Sequence, residues 1–329
     1  MTNEPDRNLA LELVRATEAG AIAAAQWMGR GDKEGADQAA VNAMSMMLNR
    51  IDMDGTVVIG EGEKDEAPMI FNGERLGTGQ SPEVDIAVDP IDGTTLTANG
   101  LPGAISVLAL ADRHSMYFPG SLVYMDKIAV GPEAAGVINL NAPIEENLTN
   151  IARAKGKSVN TLTVVILNRP RHNALIAKVR SLGARIKLIS DGDVAGALMC
   201  ALPETGMDVL MGIGGAPEAV ITACALKCMG GDFQCRLWPR DEEERQRGLA
   251  EGLDLEKVNG ITDLVNGKNI FFAATGVTGG EFLEGVQFIG SQAITHSIVL
   301  RSQTGTLRRI EAVHLPKKIK DISQVVEHP

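Results

Sequence analysis

Aromatic and basic residues are both scarce in this chain of 329 residues. Phe, Trp and Tyr make up only 3% of it, so no aromatic platform for stacking nucleic-acid bases is visible. The 42 Asp and Glu residues outnumber the 31 Lys and Arg residues, which gives a formal net charge of -11. That charge opposes unspecific binding to nucleic acid or to an anionic membrane, because both are negatively charged. Neither class of partner is therefore expected.

Long apolar runs and a cysteine framework are also missing. No apolar segment approaches the roughly 20 residues of a membrane span, and the first residues lack the basic then apolar order of a secretory signal. The four cysteines, at positions 200, 224, 228 and 235, are too few and too clustered for a disulfide framework in a chain of this size. The sequence thus predicts a cytoplasmic protein with reduced thiols.

The length of the chain and its hydrophobic share of 44% indicate a globular protein with room for two domains. We predict an N-terminal α+β domain over residues 1–155 and a C-terminal α/β domain over residues 156–329. Strands at 163–167, 186–189 and 208–211 alternate with helices in the second half. This alternation is typical of a parallel, helix-covered sheet that binds ligands at the carboxyl ends of its strands.

Three further strands are predicted near the end of the chain, at 271–275, 297–302 and 306–313. They follow a charged helix near residues 240–250. The sequence leaves open whether these strands return to the first sheet.

The most informative segment is Val-Asp-Ile-Ala-Val-Asp-Pro-Ile-Asp-Gly-Thr-Thr, residues 84–95. Its apolar residues alternate with the two-residue period of a strand, and the proline is expected to end that strand because it cannot donate to a sheet hydrogen bond. Asp89 and Asp92 would then stand together at the strand end, beside the free backbone N–H groups of Gly93 and Thr94. Carboxylates bind divalent cations, and cations and free N–H groups bind phosphate oxygens. The segment therefore predicts a site that holds metal ions against a phosphate.

Other acidic residues fall at the ends of predicted elements in the same part of the chain. Asp37 lies at the predicted start of a helix over 36–48, and Glu61 and Glu63 follow a predicted strand over 56–59. Exposed carboxylates are common on loops, so any one of these groups alone is better explained as a solvated side chain. Glycines flank nearly all of them, however, as close approach of the backbone to a ligand requires. The set is therefore expected to converge around the cations.

The segment Gly-Ile-Gly-Gly-Ala-Pro-Glu, residues 212–218, follows a predicted strand and opens a helix, as a dinucleotide-binding fingerprint does. Pro217 stands where that fingerprint needs a small residue, and Glu218 in the first helical turn would repel a pyrophosphate. A dinucleotide site is therefore not expected. Glu218 could be an ordinary partner of the helix dipole, or another metal ligand if this strand ends opposite Asp89.

Two short pairs of charged residues in the second half could bind the rest of a phosphorylated sugar. Arg169 and Arg171 follow a strand directly, and in an extended segment they would project to the same side as a clamp for phosphate. Asp191 and Asp193 repeat this spacing after the next strand and could accept hydrogen bonds from sugar hydroxyls. Each pair could equally belong to a solvated loop, with Asp193 as a helix N-cap. His172, which follows the arginines, is more simply explained as structural.

Seven motifs occur in the order found in a known family. They are Gly-Arg-Gly-Asp-Lys, Val-Val-Ile-Gly-Glu-Gly-Glu-Lys-Asp-Glu-Ala-Pro-Met, Val-Asp-Pro-Ile-Asp-Gly-Thr, Arg-Pro-Arg-His, Asp-Gly-Asp-Val-Ala, Gly-Ile-Gly-Gly-Ala-Pro-Glu and Ala-Thr-Gly-Val-Thr. On these motifs the chain resembles, along nearly its whole length, the class II fructose-1,6-bisphosphatases of bacteria, within the lithium-sensitive, metal-dependent sugar phosphatase superfamily. The resemblance implies an α/β fold of layered α-β-α-β-α sugar phosphatase architecture, with two helix-covered sheets.

The resemblance also implies roles for individual residues. Asp37 and Glu61 would hold one divalent ion, Mn²⁺ or Mg²⁺, and Asp89, Asp92 and Glu218 would surround a second. Thr94, Glu61 and Asp89 would be catalytic. The implied contacts with the sugar phosphate come from Asp92, Gly93, Thr94, Tyr124, Arg169, Pro170, Arg171, Asp191, Gly192, Asp193 and Gly215.

The implied reaction is hydrolysis of the 1-phosphate of fructose 1,6-bisphosphate to fructose 6-phosphate, a step of gluconeogenesis, by in-line attack of a metal-activated water. Thr94 is expected to orient that water and to relay its proton to a carboxylate, either Glu61 or Glu63. The 6-phosphate would lie in the clamp of Arg169 and Arg171. Assembly into a homo-oligomer, a dimer or a tetramer, is also expected.

Three alternatives remain at this stage. Two are enzymes, a sedoheptulose 1,7-bisphosphatase and an inositol monophosphatase, although the inositol enzymes usually show Trp-Asp at their late metal motif, where this chain has Gly-Ala-Pro-Glu. The third is a metal-dependent sugar phosphate sensor without catalysis. Such a sensor should lack a water-activating hydroxyl beside its acids, whereas this chain has Thr94.

Overall fold

Helices and sheets alternate in layers through the protein, whose computed structural model describes residues 8–62 and 69–327. The helices are α1 (Ala10–Ala25), α2 (Lys33–Leu48), α3 (Thr94–Asn99), α4 (Ile144–Ala154), α5 (Asn173–Ser181), α6 (Val194–Met199), α7 (Ala216–Met229), α8 (Glu242–Ala250), α9 (Ile261–Leu264) and α10 (Pro316–Glu327). The strands are β1 (Asp54–Ile59), β2 (Arg75–Leu76), β3 (Glu83–Asp92), β4 (Ile105–Asp112), β5 (Tyr124–Val130), β6 (Thr163–Leu167), β7 (Arg185–Ile189), β8 (Val209–Gly215), β9 (Asp232–Leu237), β10 (Asn259–Gly260), β11 (Phe271–Gly276), β12 (Gln287–Ile289), β13 (Gln292–Arg301) and β14 (Thr306–His314). Short 3-10 helices occur at Pro132–Ala134, Val159–Thr161, Pro170–His172 and Pro203–Thr205.

Three clusters of buried apolar side chains hold the layers together. The first cluster joins α1, α2 and α10 to one face of an eight-stranded sheet. The second joins the other face of that sheet, through α6 and α7, to a six-stranded sheet. The third packs α4 and α5 on the far face of the six-stranded sheet. The predicted α-β-α-β-α order of layers is confirmed.

Strand β4 shows how the sequence produces these layers. Its residues 107–111 are apolar without a break, and successive side chains of a strand point to opposite faces of the sheet. Leu108 and Leu110 therefore enter the first cluster, whereas Val107 and Ala109 enter the second. A strand of this composition can lie only between two covered faces.

In the described part of the chain, no helix is long and apolar enough to cross a membrane.

The eight-stranded sheet runs in the order β12-β13-β11-β4-β3-β1-β2, and β14 also pairs with β13. Strands β1 and β3 are parallel, and the other described pairs are antiparallel. The late strands β11, β13 and β14 therefore return to the first sheet, which the sequence left open. Division of the chain into domains at residue 155 stays a prediction, and this sheet takes strands from both sides of that position.

The six-stranded sheet runs in the order β10-β9-β5-β8-β6-β7. Strand β6 is parallel to β7 and β8, as the alternation of strands and helices predicts. The expectation of a wholly parallel sheet is wrong, because β5 is antiparallel to both of its neighbours, β8 and β9. Strand β5 belongs to the first half of the chain and carries no strand-helix alternation, so its place in this sheet was not visible in the sequence.

Helix α2 begins three residues earlier than the sequence pattern predicts, at Lys33. The side chain of Asp32 caps it by accepting a hydrogen bond of 2.9 Å from the backbone N–H of Gly35. The glycines of residues 29–37 favour a loop, but the hydrogen bond from the Asp32 cap stabilises a helix that starts within this segment. Asp37 therefore lies within the helix rather than at its start.

Candidate active site

A cavity of about 430 Å³ lies where the ends of β1, β3, β6, β7 and β8 approach the starts of α3 and α7. All of the predicted site residues except Pro170 line it. They are Asp37, Glu61, Asp89, Asp92, Gly93, Thr94, Tyr124, Arg169, Arg171, Asp191, Gly192, Asp193, Gly215 and Glu218. Glu63, the other candidate proton acceptor, lies outside the described residues. The predicted convergence is therefore observed, while the role of each residue stays a prediction.

A bulge in β3 places the two aspartates of the central motif side by side. The prediction that this strand ends at Pro90 is wrong, because β3 continues to Asp92. Asp89 pairs with Val107 and Asp92 pairs with Ile105, so three steps along β3 face only two along β4. Residues three apart on a regular strand point to opposite faces, but the extra residue of a bulge returns the second side chain to the face of the first. Both carboxylates thus project from the same side.

Asp89, Asp92 and Glu218 form a compact cluster, in which one carboxylate oxygen of each lies within 4.8 Å of the others. Glu218 reaches the cluster from the first turn of α7. Strand β8 is longer than predicted and runs to Gly215, so the helix starts at the cavity instead of after a loop. The Oε2 atom of Glu218 is buried and has no hydrogen-bond partner among the described residues. A buried carboxylate oxygen without a donor fits ligation of a cation.

Gly214 and Gly215 leave space for two carboxylates. A β-carbon at Gly215 would lie 1.7 Å from Oε2 of Glu218, and one at Gly214 would lie 1.8 Å from Oδ2 of Asp193. The backbone of Gly215, with φ -64° and ψ 142°, is one that any residue adopts. The lack of a β-carbon at position 215 therefore leaves room for the carboxylate of Glu218, and backbone freedom is not what calls for glycine there.

Asp37 and Glu61 form a second acidic pair in the same cavity, and their carboxyl groups share a hydrogen bond. Burial raises the pKa of Asp37. Burial, and then the charge of Asp37, raise the pKa of Glu61 to about 8. A hydrogen bond between two carboxyl groups requires a proton on one of them, so this pair holds a proton in the absence of a cation.

The pKa values of the other three carboxyl groups, those of Asp89, Asp92 and Glu218, are also raised. Burial raises the pKa of Asp89 well above its usual range, and the charges of Asp92 and Glu218 raise it further. Burial is also the largest cause of the raised pKa of Asp92 and of Glu218. Carboxyl groups buried this closely ionise together only when cations neutralise them. Carboxylate oxygens are the ligands that Mg²⁺ and Mn²⁺ prefer, so the donor set fits divalent cations.

Lys127 is a buried cation beside this cluster, and the sequence analysis missed it. Its Nζ atom donates to Oδ2 of Asp193 at 2.6 Å, and the two side chains are only 1% and 5% exposed. Burial raises the pKa of Glu218, and the charge of Lys127 offsets part of that rise. The signal in the sequence was a lysine within the apolar strand β5, since a buried ammonium group requires an acidic partner.

The two aspartates after β7 are less free than predicted. Asp193 is bound to Lys127 through one oxygen, while its Oδ1 atom is buried without a partner among the described residues. It begins α6 as the N-cap residue, but its side chain makes no capping hydrogen bond. Asp191 accepts from Nη2 of Arg169 at 2.9 Å and from the backbone N–H of Thr95 at 3.1 Å. One oxygen of Asp193 therefore has no hydrogen-bond partner among the described residues, whereas both oxygens of Asp191 accept hydrogen bonds.

The arginine segment is not extended as predicted, because Pro170–His172 forms a 3-10 turn. Proline is favoured in the first turn of a helix, so Pro170 starts a helical turn here instead of continuing the strand. The two arginines still line the cavity, in unlike surroundings. Arg169 is paired with Asp191, whereas Arg171 donates to the carbonyl oxygen of Ile213 at 3.0 Å. Arg171 thus differs from Arg169 in having no ion-pair partner among the described residues.

Tyr124 forms the centre of a group of rings and guanidinium groups at the cavity wall. The guanidinium of Arg171 lies 4.9 Å from the centre of its ring, within the range of a cation–π contact. Arg240 lies 5.9 Å from the same ring, and Trp238 packs edge-on with ring centres 6.3 Å apart. Sequence analysis missed Trp238 and Arg240, which come from the segment after β9 and carry no motif.

A family model described as bacterial fructose-1,6-bisphosphatase, glpX-encoded, matches residues 7–314. The chain belongs to this family. It is 47% identical to the fructose-1,6-bisphosphatase class 2 of Haemophilus influenzae over 322 residues, which cover 94% of this chain and 96% of that protein. It is 46% identical to the fructose-1,6-bisphosphatase 1 class 2 of Escherichia coli strain K12 over 321 residues, which cover 94% and 95%. The resemblance seen in the seven motifs is confirmed.

In this member of the bacterial fructose-1,6-bisphosphatase family, His172 has the structural role that the sequence predicts. Its Nε2 atom accepts a hydrogen bond of 2.7 Å from the backbone N–H of Ile213. Its Nδ1 atom therefore carries the proton and donates to the carbonyl oxygen of Leu167 at 2.7 Å. Burial lowers the pKa of the ring, which favours this neutral form. His172 thus ties the end of β6 to β8 and fixes the arginine turn between them.

Proposed function

We propose that this chain hydrolyses fructose 1,6-bisphosphate to fructose 6-phosphate and phosphate, as a phosphoric monoester hydrolase of gluconeogenesis. The observation that carries the proposal is that one cavity holds both a carboxylate cluster and a pair of arginines. The cluster fits a phosphate with its cations, and the arginines fit the second phosphate of a bisphosphate. Relatives that are 46% and 47% identical are named fructose-1,6-bisphosphatases of class 2, which supports the same substrate.

The acidic residues of the cavity would hold divalent cations, Mn²⁺ or Mg²⁺, in two groups: Asp37 with Glu61, and Asp89 with Asp92 and Glu218. When bound, such ions neutralise phosphate oxygens and lower the pKa of a bound water. The chain itself orients the acids. Backbone N–H groups donate to Asp89 from Ile91 at 3.0 Å and to Asp92 from Val194 at 3.1 Å.

Thr94 is the residue to which we assign the orientation of the attacking water. It begins α3 directly after Gly93, whose φ of 100° turns the chain from β3 into the helix. The hydroxyl oxygen lies 3.5 Å from the carbonyl oxygen of Ile91, too far for a strong hydrogen bond, so it can turn toward a water. The water would give its proton to this oxygen as the hydroxyl passes its own proton to Glu61. A carboxylate acceptor is required because a threonine hydroxyl alone is a weak base.

Substrate choice tests the proposal directly. Phosphate release should be measured with fructose 1,6-bisphosphate, sedoheptulose 1,7-bisphosphate, inositol 1-phosphate and p-nitrophenyl phosphate, each with Mn²⁺ and with Mg²⁺. The highest kcat/KM is expected for fructose 1,6-bisphosphate, because its two phosphates can occupy both ends of the cavity. A higher kcat/KM for inositol 1-phosphate would exclude the proposal. An absence of turnover on all four substrates, with tight binding of the bisphosphate, would favour a sensor.

Replacement of Arg171 by alanine is expected to raise KM for fructose 1,6-bisphosphate by about tenfold or more, because one charge-assisted phosphate contact is lost. The KM for p-nitrophenyl phosphate should hardly change, since that substrate has no second phosphate. Steady-state kinetics on both substrates check this. Arg240→Ala is the matched control, because Arg240 also lies over the Tyr124 ring but does not line the cavity. Equal effects of Arg171→Ala on the two substrates would show that the second phosphate binds elsewhere.

We further propose that the protein works in the cytoplasm as a homo-oligomer. Its four cysteines are free thiols, which fits a reducing compartment. The sugar bisphosphate that it would hydrolyse is an intermediate of central metabolism, which supports the same location.

A further inference from the structure

Strand β14 forms an outer edge of the eight-stranded sheet, where β13 is its only partner in the described part of the chain. The register is continuous from the pair Ala293–His314 to the pair Arg301–Thr306, without a bulge. The strand is nine residues long and contains neither proline nor glycine. Its other side makes no backbone hydrogen bond to a strand among the described residues. Bulges, prolines, short length and charged side chains are the usual protection of such an edge against pairing. Of these, β14 has only the charged side chains, Arg308, Arg309 and Glu311.

The side chains on one face of β14 are exposed. Alternate residues of a strand share a face, so Leu307, Arg309, Glu311 and Val313 project together. Leu307 is 37% exposed and Val313 is 55% exposed. Arg309 and Glu311, between them, are also exposed. This face thus carries two charges of opposite sign flanked by two large apolar side chains.

The order of these four residues is self-complementary. If two copies of β14 lay antiparallel about a two-fold axis at Ile310, Arg309 would stand opposite Glu311 of the partner subunit. Leu307 would stand opposite Val313 of the partner subunit, and the symmetry would repeat each pair. Axes centred on Arg309 or on Glu311 would place like charges opposite each other. Opposite-charge and apolar cross-strand pairs stabilise a sheet, whereas like charges destabilise it, so the arrangement about Ile310 is selected.

We propose that β14 is the interface of a homodimer, in which the two eight-stranded sheets join edge to edge about a two-fold axis at Ile310. The second copy would satisfy the open edge of the strand with main-chain hydrogen bonds and would cover Leu307 and Val313. The proposal does not depend on the reaction that the cavity catalyses. It specifies an interface for the expected homo-oligomer and a register for that interface.

The charged residues of β14 also have contacts within their own subunit. Arg309 contacts the carboxylate of Glu204, and Oε2 of Glu311 lies 3.5 Å from Nε2 of His296. The side chains of Arg309 and Glu204 are 57% and 54% exposed, and that of Glu311 is 68% exposed. Ion pairs this exposed contribute little to stability. They can therefore rearrange when a second strand approaches.

Charge reversal tests the register. The full-length protein is expected to sediment as a dimer or a multiple of it, and Arg309→Glu or Glu311→Arg alone should weaken the dimer about tenfold or more by opposing like charges. The double variant Arg309→Glu with Glu311→Arg restores both pairs and should restore the dimer. Arg308→Glu is the matched control, since position 308 faces Ala312 of the partner subunit on the other face. A monomeric parent, unaffected single variants or a double variant without recovery would each overturn the proposal.

A disulfide tests the axis independently. Residues at position 310 would be directly opposite their own copies, with Cα atoms about 4.5–5.5 Å apart, within the range of a disulfide. Ile310→Cys should therefore give a cross-linked dimer with oxidised glutathione on a non-reducing gel. Val313→Cys is the control, because its copies would lie six residues apart along the strands, about 20 Å, and should not cross-link. The parent protein, with three buried cysteines and a half-buried Cys228, gives the background. No cross-link in Ile310→Cys, or an equal one in Val313→Cys, would overturn the axis.

Discussion

Replacement of Thr94 by alanine is expected to lower kcat by about two orders of magnitude or more, because positioned proton transfer typically contributes about 10²–10⁴-fold. The KM for fructose 1,6-bisphosphate should change little, since the arginines and carboxylates that would bind the substrate remain in place. The variant removes the hydroxyl that would orient the water and pass its proton to Glu61, together with the neighbouring methyl group. Steady-state phosphate release over a range of substrate concentrations separates kcat from KM and checks the expectation.

The matched control is Thr94→Ser, which keeps the hydroxyl and loses only a methyl group. Its kcat should stay within about tenfold of the parent if the hydroxyl is what matters. An equal loss in the serine and alanine variants would instead point to packing of the methyl group at the start of α3. Near-normal turnover of Thr94→Ala would remove this residue from the mechanism.

Replacement of Gly215 by alanine is expected to lower metal affinity and turnover by about 10–100-fold, although the residue itself holds neither metal nor substrate through a side chain. The added β-carbon would lie 1.7 Å from Oε2 of Glu218 and would displace that carboxylate from Asp89 and Asp92. The fold should survive, because the backbone conformation is open to alanine and the obstacle is the movable end of a side chain. Titration calorimetry with Mn²⁺, thermal denaturation without metal and steady-state kinetics would measure the three quantities.

Gly260→Ala is the control for Gly215→Ala. Gly260 also has an extended backbone, with φ -93° and ψ -179°, and the nearest atom to an added β-carbon is 3.8 Å away. This variant should keep the melting temperature, the metal affinity and the turnover of the parent. A Gly215→Ala protein that binds Mn²⁺ as tightly as the parent would show that Glu218 is not a ligand.

Local sequence patterns were sufficient to locate most elements and nearly all of the cavity. Strand β6 was predicted with its observed bounds, Thr163–Leu167, because a short apolar run lies between polar segments. Most of the charged residues around the cavity were found because they stand close to the end of a predicted strand or the start of a predicted helix, several of them beside a glycine. The resemblance to a family then connected them, which spacing alone could not do.

Contacts between distant segments were not predictable in the same way. Lys127 and Asp193 are 66 positions apart, and the sequence around each residue gives no indication that the two are in contact. Strand β5 gives no sign that its neighbours are β8 and β9 rather than β4. Such pairings depend on how several buried surfaces fit together, whereas periodicity reports only which side of an element is buried. Packing therefore had to be seen in three dimensions.

The bulge at Pro90 has a consequence for reading related chains. An even separation of acidic residues in an apolar strand normally marks a shared face, and an odd separation marks opposed faces. Asp89 and Asp92 break that parity rule, because an imino acid without an amide hydrogen interrupts the ladder between them and Ile91 turns its own amide to Asp89. Two acids at an odd interval around a proline, inside an otherwise buried strand, are thus a recognisable mark of a ligand-facing bulge.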